Sequence, residues 1–207
     1  MGTVRVATSR IQTNEQFLSC AKDRVNVRAC VSFQKMWDNH PLNWSPSERA
    51  PFKSKDGTPL FEDQCAIKMS IALQQAGIPM VTFNGATASS PVRQLGGSSV
   101  KAALRAEELA DWLVKILGQP DKYAPDVSIE SVKFKTGIIF FKDFWSRDLP
   151  SGGRETLGNR SGDHIDVWDG HTIPTMPTVN SPEFSNPLLG WSRYFKNAKT
   201  VWLWEIK

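Results

Sequence analysis

The sequence has few cysteines, few histidines and no long apolar segment. Its 207 residues include only 3 cysteines and 3 histidines. That is too few cysteines for a disulfide framework, and no Cys-x-x-Cys pair indicates a zinc or redox site. No apolar run is long enough to span a bilayer. The N-terminal residues lack the apolar core and cleavage site of a signal peptide. We therefore expect no membrane span and no export through a signal peptide.

The sequence also has no local cluster of basic residues. The net charge of +4 suits an anionic partner such as nucleic acid or the bacterial cell wall. However, Lys and Arg are scattered and form no stripe, so nucleic-acid binding is not predicted. The 8 tryptophans are many for this length. They are either large core residues or the lining of a groove that stacks on sugar or peptide.

Apolar periodicity begins near residue 31. Residues 1–30 show little of it, so we predict an N-terminal extension followed by one domain over residues 31–207. Within the domain, segment 63–77 predicts a buried helix that Asp63 caps and Gly77 ends.

The order of the remaining elements indicates the fold class. Segment 100–118 has the spacing of an amphipathic helix, and residues 84–99 before it are rich in Gly, Ser and Pro and predict a loop. Segment 137–145 is nearly all apolar and predicts a central strand, and residues 201–206 alternate as another strand. Helices first and strands last predict an α+β fold with an antiparallel sheet.

The stretch GDHIDVWDG at residues 162–170 places a histidine between two aspartates on a strand that ends in Asp-Gly. Asp-Gly favours a two-residue hairpin turn, which would set His164 opposite Thr175. The period of two puts His164 and Asp166 on one face. A histidine held beside a carboxylate has a fixed tautomer and raised basicity, as a general base requires.

Cys65, in the first turn of the predicted helix 63–77, is the candidate for deprotonation. Backbone N–H groups and the helix dipole stabilise a thiolate there. A cysteine that opens a buried helix packed on a sheet carrying a histidine is the layout of papain-like enzymes. On pattern alone, a cysteine in an apolar helix is more often a core residue, so this pairing is a hypothesis.

The segments QCAIKMSIAL, LADWLVKILGQPD, KTGIIFFKDFW and DHIDVWDG, in this order, resemble the type VI secretion amidase effectors of the fourth class over about residues 31–207. These are relatives of the NlpC-type cell-wall cysteine peptidases. The resemblance implies a papain-like/NlpC-like fold in which catalytic Cys65 lies at the N-terminus of a buried helix packed on an antiparallel sheet that carries His164.

The same resemblance implies a function. Such proteins are antibacterial toxins, made in the cytoplasm and injected by secretion machinery without a signal peptide. In the target-cell periplasm they cleave peptidoglycan stem peptides between D-glutamate and meso-diaminopimelate. Each producer carries a cognate immunity protein that plugs the active site.

The chain departs from this family at the third catalytic residue. The family places an acid on the return strand opposite the histidine, where this chain has Thr175, and often flanks it with a disulfide, although no cysteine follows Cys65 here. Asp166 lies ~6.6 Å along the strand from His164, and we predict that it accepts the Nδ1–H of that ring. Thr175 is the alternative, and Asp163 ranks lower because it points to the opposite face. Asp166 is otherwise a solvated strand acid or a brace for the following turn.

Two other functions stay open on the sequence. One is a housekeeping wall peptidase with the same chemistry, and the other is a non-catalytic wall- or glycan-binding module in which Cys65 is inert. No cofactor or metal is predicted, because His164 and His171 lie at different ends of the hairpin and lack a third ligand. We predict a disulfide between Cys20 and Cys30 in the oxidising periplasm, which would tether the extension.

Overall fold

The fold is described from a computed structural model. The residues it describes are 17, 19–20, 27–125, 127–156, 159–174 and 194–207. Its main helices are α1 (Phe33–Asp38), α2 (Cys65–Gln75) and α3 (Ala106–Leu117). Its strands are β1 (Thr87–Val92), β2 (Ser98–Ala103), β3 (Asp121–Tyr123), β4 (Gly137–Trp145), β5 (Gly162–Trp168) and β6 (Thr200–Glu205).

The strands form two antiparallel sheets, as the sequence predicts. The larger sheet has the order β3-β6-β4-β5, and β1 pairs with β2 in a separate two-stranded sheet. The predicted central strand β4 lies between β6 and β5, with Phe140 opposite Trp202 and Phe141 opposite His164. Its first five residues are buried, because a central strand is covered on both faces.

Alternating side chains divide the core between the two faces of the larger sheet. Phe140 and Val167 belong to the cluster that includes α2 and α3, whereas Phe141 and Trp168 belong to the cluster on the opposite face. The outer side of α2 packs on β2 in a third cluster. α2 is therefore buried between two sheets, which explains its nearly continuous apolar sequence. None of the described helices is long and apolar enough to cross a membrane.

The predicted helix over residues 100–118 is wrong in its first turns. Residues 98–103 form β2, and the helix begins at Ala106. The predicted loop 84–99 likewise contains β1, which pairs with β2 over its whole length. Pairing with β1 and burial of Val100 and Ala102 against α2 outweigh the helix propensity of the alanines.

The predicted hairpin after β5 is also wrong within the described residues. β5 pairs with β4, and residues 171–174 add no strand. The carboxylate of Asp169 accepts from the backbone N–H groups of His171 and Thr172, at 2.7 and 2.6 Å, and Ile173 beyond this turn is buried against a face of the sheet. Thr175 lies outside the described residues, so its position opposite His164 stays a prediction.

The predicted disulfide between Cys20 and Cys30 is confirmed, with 6.2 Å between the Cα atoms. Cys30 packs against the core cluster of α2 and α3, and Phe17 is buried in the same cluster. The Nε–H of Arg28 donates to the carbonyl of Leu117 at 2.9 Å. The bridge thus links Cys20 to a segment that is itself anchored to α3. The domain boundary after residue 30 stays a prediction.

Candidate active site

Cys65 is the first residue of α2 and its side chain is partly exposed. The predicted cap by Asp63 is wrong, because Gln64 holds the N-cap position and makes no side-chain cap. The buried Gln64 amide instead bonds the backbone N–H and carbonyl of Phe52, both at 3.1 Å, and so fastens the preceding loop. Backbone N–H groups of the first helical turn are therefore left without a side-chain cap beside the thiol.

His164 lies on the edge strand β5 and lines the same pocket as Cys65, whose side chain interacts with the imidazole. Its ring makes T-shaped contacts with the stacked rings of Phe144 and Tyr194, whose centroids are 6.2 and 5.6 Å away. Burial lowers the pKa of His164, but the hydrogen bonds to Asp166 and Cys65 outweigh it and raise the pKa well above 6.5. The arrangement therefore favours an imidazolium next to the sulfur atom.

The predicted contact between His164 and Asp166 exists, but it uses the other ring nitrogen. Nε2 of His164, not Nδ1, lies 3.2 Å from Oδ2 of Asp166. Two residues of strand separate the two Cα atoms by ~6.6 Å, and the nitrogen at the far end of the ring covers that distance better.

Asp166 is neither a solvated strand acid nor a brace for the following turn. Its side chain is fully buried rather than solvated, and the following turn is braced by Asp169. Oδ1 of Asp166 accepts the backbone N–H of Val167 at 2.8 Å and also faces Nε2 of His40 at 3.3 Å. Asp166 is thus held on both oxygens, as an orienting carboxylate must be.

Asp163 contacts Asp143 and not His164, as expected from its lower rank as an acceptor for the His164 ring. Its Oδ1 accepts the backbone N–H of Asp143 at 2.9 Å, where β4 departs from regular pairing and Asp143 has a φ of 52°. Burial, its largest influence, raises the pKa of Asp163 to about 6. Asp163 therefore clamps a β-bulge at the edge of the cleft.

Replacing Asp163 with asparagine should stabilise the protein at neutral pH. Because the folded pKa is raised from 3.8 to about 6, stability falls as pH rises through this window. The amide oxygen of asparagine still accepts from Asp143 but carries no charge. We expect a gain of about 1 kcal/mol above pH 6, less than the full shift because the cleft is open to water. Urea unfolding at pH 3.5 and pH 7.5 measures it; an equal effect at both pH values would contradict it.

Sequence reasoning missed His40, whose side chain is fully buried. Its Nδ1 accepts from the backbone N–H of Leu42 at 3.5 Å, which leaves the proton on Nε2. Burial lowers the pKa of His40 to about 4, against the attraction of Asp166, so the ring is neutral at neutral pH. His40 precedes a short 3-10 turn in a proline-rich loop, where no periodicity relates it to Asp166. The scarcity of histidine is the only sequence signal that marks it.

Cys65 lies between two adjoining pockets. One, of about 340 Å³, is lined by His164, Lys68 and Tyr194, and the other, of about 440 Å³, by three arginines. The arginines are Arg105, Arg147 and Arg154. Burial lowers the pKa of Lys68, while Asp166 and Cys65 oppose that effect. The carboxylates of Glu62, Asp63 and Asp163 line both pockets, so an extended chain that passes the sulfur meets charges of both signs on each side.

The tryptophans are mainly core residues. Trp112, Trp168, Trp202 and Trp204 are buried, and Trp145 lines the cleft beside Cys65. Within the described ranges, no three His, Cys, Asp or Glu side chains converge as a metal site.

Comparison with known proteins bears on this arrangement. Residues 61–204 match the family described as type VI secretion system (T6SS), amidase effector protein 4. The effector Tae4 from Salmonella typhimurium, crystallised with the immunity protein Tai4 from Enterobacter cloacae, has a similar fold, with a TM-score of 0.55 and 17% sequence identity. The match covers 86% of this chain and 99% of that chain. The crystal structure of Tae4 from Enterobacter cloacae is also similar, with a TM-score of 0.53 and 18% sequence identity. This match covers 86% of this chain and 97% of that chain. A search of curated proteins finds no significant match.

Proposed function

This chain belongs to the Tae4 family of type VI secretion amidase effectors, whose model matches residues 61–204, and we propose that it is an antibacterial cysteine amidase that cleaves peptidoglycan stem peptides. In this proposal Cys65 is the nucleophile, His164 the general base and Asp166 the orienting carboxylate. One observation carries it: the thiol at the first residue of α2 shares a pocket with a histidine whose Nε2 contacts a buried carboxylate. The bond we propose is that between D-glutamate and meso-diaminopimelate, as the family resemblance implies.

The chemistry follows from this geometry. His164 takes the thiol proton, and the sulfur of Cys65 attacks the amide carbonyl to form a tetrahedral oxyanion. The backbone N–H of Cys65, at a helix N-terminus, supports that oxyanion. The imidazolium then gives its proton to the leaving amine, which leaves a thioester. Water, deprotonated by His164, hydrolyses the thioester and restores the thiol. Asp166 orients the ring and stabilises its charge throughout.

The two pockets carry both cations and carboxylates, which suits a stem peptide that has both carboxylates and amines. Lys68 lies on one side of Cys65, and the guanidinium groups of Arg105, Arg147 and Arg154 lie on the other. Arg147 is 5.7 Å from the ring of Trp145, so a planar aromatic surface lies behind it. We propose that these cations bind substrate carboxylates on both sides of the scissile amide.

We further propose that the protein is injected into a competing cell and acts in its periplasm. Its producer would be protected by a cognate immunity protein that covers the cleft. Support comes from effectors of similar fold, which have been crystallised with Tai4 immunity proteins from Enterobacter cloacae and Salmonella Typhimurium.

Digestion of purified peptidoglycan sacculi tests the proposed activity. We expect muropeptides ending in D-glutamate, together with fragments that begin at meso-diaminopimelate, identified by mass. Release of other fragments would contradict the proposed bond. Binding to sacculi without release would instead favour the wall-binding module, and activity that no protein encoded beside its gene inhibits would favour a housekeeping peptidase.

Asp166→Asn should lower kcat/KM by about 100-fold or more, because the amide cannot stabilise the imidazolium and misorients the ring. Asp163→Asn, three residues earlier on the same strand, serves as the control and should lose only a few-fold. Thr175→Val should also cost much less than Asp166→Asn. Steady-state cleavage of a soluble stem peptide measures all three. A larger loss in Thr175→Val than in Asp166→Asn would reverse the assignment of the third residue.

A further inference from the structure

A second histidine contacts the carboxylate that supports His164. Nε2 of His40 lies 3.3 Å from Oδ1 of Asp166, and the exposed fractions of the two side chains are 1% and 0%. The other oxygen of the same carboxylate lies 3.2 Å from Nε2 of His164. One buried carboxylate thus lies between two imidazoles, of which one reaches the sulfur of Cys65 and the other lies deeper in the protein.

The backbone around His40 determines which ring nitrogen faces Asp166. The His40 N–H donates to the carbonyl of Trp37 at 3.2 Å, and its carbonyl accepts from Asn43 at 2.9 Å. Nδ1 then accepts from the N–H of Leu42, so the ring serves as the cap of the 3-10 turn Pro41–Asn43. The turn contacts α2. The ring orientation is therefore a property of the loop and not of the contact with Asp166.

The Nε2–H has no other use in the described part of the chain. It makes no well-aligned hydrogen bond there, and Oδ1 of Asp166 is the acceptor that it faces. A long, imperfect contact of this kind is common in unliganded active sites and tightens when substrate binds. An unpaired donor buried beside a carboxylate costs free energy, which a structural role in the turn does not explain.

We propose that His40 is a positioning residue, a neutral donor that holds Oδ1 of Asp166 so that Oδ2 stays directed at His164. The inference rests on the proposed Cys65–His164–Asp166 mechanism. A neutral donor suits this task better than a cation. A charged group would neutralise the carboxylate and weaken its support of the imidazolium, whereas a neutral N–H orients it and leaves its charge in place.

Burial keeps His40 neutral despite the neighbouring carboxylate. Burial is the largest influence and lowers its pKa to about 4, Asp166 opposes this, and Lys68 and His164 add to it. The ring is therefore uncharged from about pH 5 upward.

Two substitutions at position 40 distinguish the capping of the 3-10 turn from the contact with Asp166. In His40→Asn, the amide oxygen can replace Nδ1 as acceptor for Leu42, but the side chain is too short to reach Asp166. In His40→Gln, the amide nitrogen extends to the place of Nε2 and restores a donor. We expect His40→Asn to lower kcat about tenfold with little change in KM, and His40→Gln to recover most of that loss.

The pH dependence distinguishes positioning from loss of structure. With one donor removed, Asp166 supports the imidazolium less, so the pKa of His164 falls. In His40→Asn, the alkaline limb of the kcat/KM profile should move to lower pH by about half a unit or more. Nitrogen-15 titration of the His164 ring should show the same movement without any substrate. This readout still tests the inference if peptidoglycan proves not to be the substrate.

The inference would be overturned if the alkaline limb of the kcat/KM profile did not move in His40→Asn. It would also be overturned if His40→Gln were as impaired as His40→Asn. The chain also allows a test that needs no change at position 40. In nitrogen-15 spectra of the wild type, His40 should be neutral with its proton on Nε2, and that proton resonance should shift in Asp166→Asn. A charged His40, or a resonance insensitive to Asp166→Asn, would overturn it as well.

Discussion

Cys65→Ala is expected to abolish muropeptide release, a loss of at least about 10⁴-fold in kcat. The proposed mechanism needs a sulfur atom at the start of α2, where His164 takes its proton and backbone N–H groups face the oxyanion. Alanine removes the nucleophile and leaves the rest of the cleft in place. Because the side chain of Cys65 is partly exposed, its loss creates little cavity, and the melting temperature should stay within a few degrees of wild type.

Alkylation supplies the control for this result. Cys20 and Cys30 are bonded to each other, so Cys65 is the free thiol of the oxidised protein. Iodoacetamide at neutral pH should add one label per chain and inactivate the enzyme at the same rate. Cys65→Ser, which keeps a hydroxyl of similar size, should stay unlabelled and nearly inactive. Substantial cleavage by Cys65→Ala would exclude the cysteine mechanism, and slow, incomplete labelling would favour the binding module.

His164→Ala should lower kcat by about 10³-fold or more, because no other described group is hydrogen-bonded to the thiol of Cys65 and able to take its proton. His171→Ala is the matched control. His171 lies just beyond the same strand, its ring is exposed and it packs on Phe134 at 5.2 Å. Its removal should leave cleavage within about twofold of wild type, as expected for a surface position. Equal losses in the two variants would argue against His164 as the base.

The pH dependence of stability gives an independent check on His164. Its folded pKa is raised above 6.5, so the charged ring contributes stability that is fully present below pH 6.5 and lost as pH rises through the raised value. The melting temperature of the wild type should therefore exceed that of His164→Ala most at low pH. Thermal unfolding of both proteins from pH 5 to 9 measures the difference. A gap that widens as pH rises would contradict the raised pKa.

Segments whose own composition decides their structure were predicted well. Residues 65–75 are mostly apolar and are followed by Ala-Gly, and they form the buried helix α2. Residues 137–145 are rich in Ile and Phe, and they form the central strand β4. Residues 98–103 were mistaken for helix, because the same alanines and valine form a strand once β1 lies beside them. Strand pairing depends on a partner that local sequence does not contain.

The candidate site likewise has parts that the local sequence predicts and parts that only the tertiary structure decides. The sequence by itself places a cysteine at the start of a buried helix and puts His164 and Asp166 two residues apart on one strand. Only the tertiary structure decides that β5 pairs with β4, which brings His164 to Cys65. It also decides that Nε2 is the nitrogen facing Asp166 and that His40 lies behind that carboxylate. Periodicity reports which face of its own element a side chain occupies, whereas contacts between distant elements depend on how the elements pack.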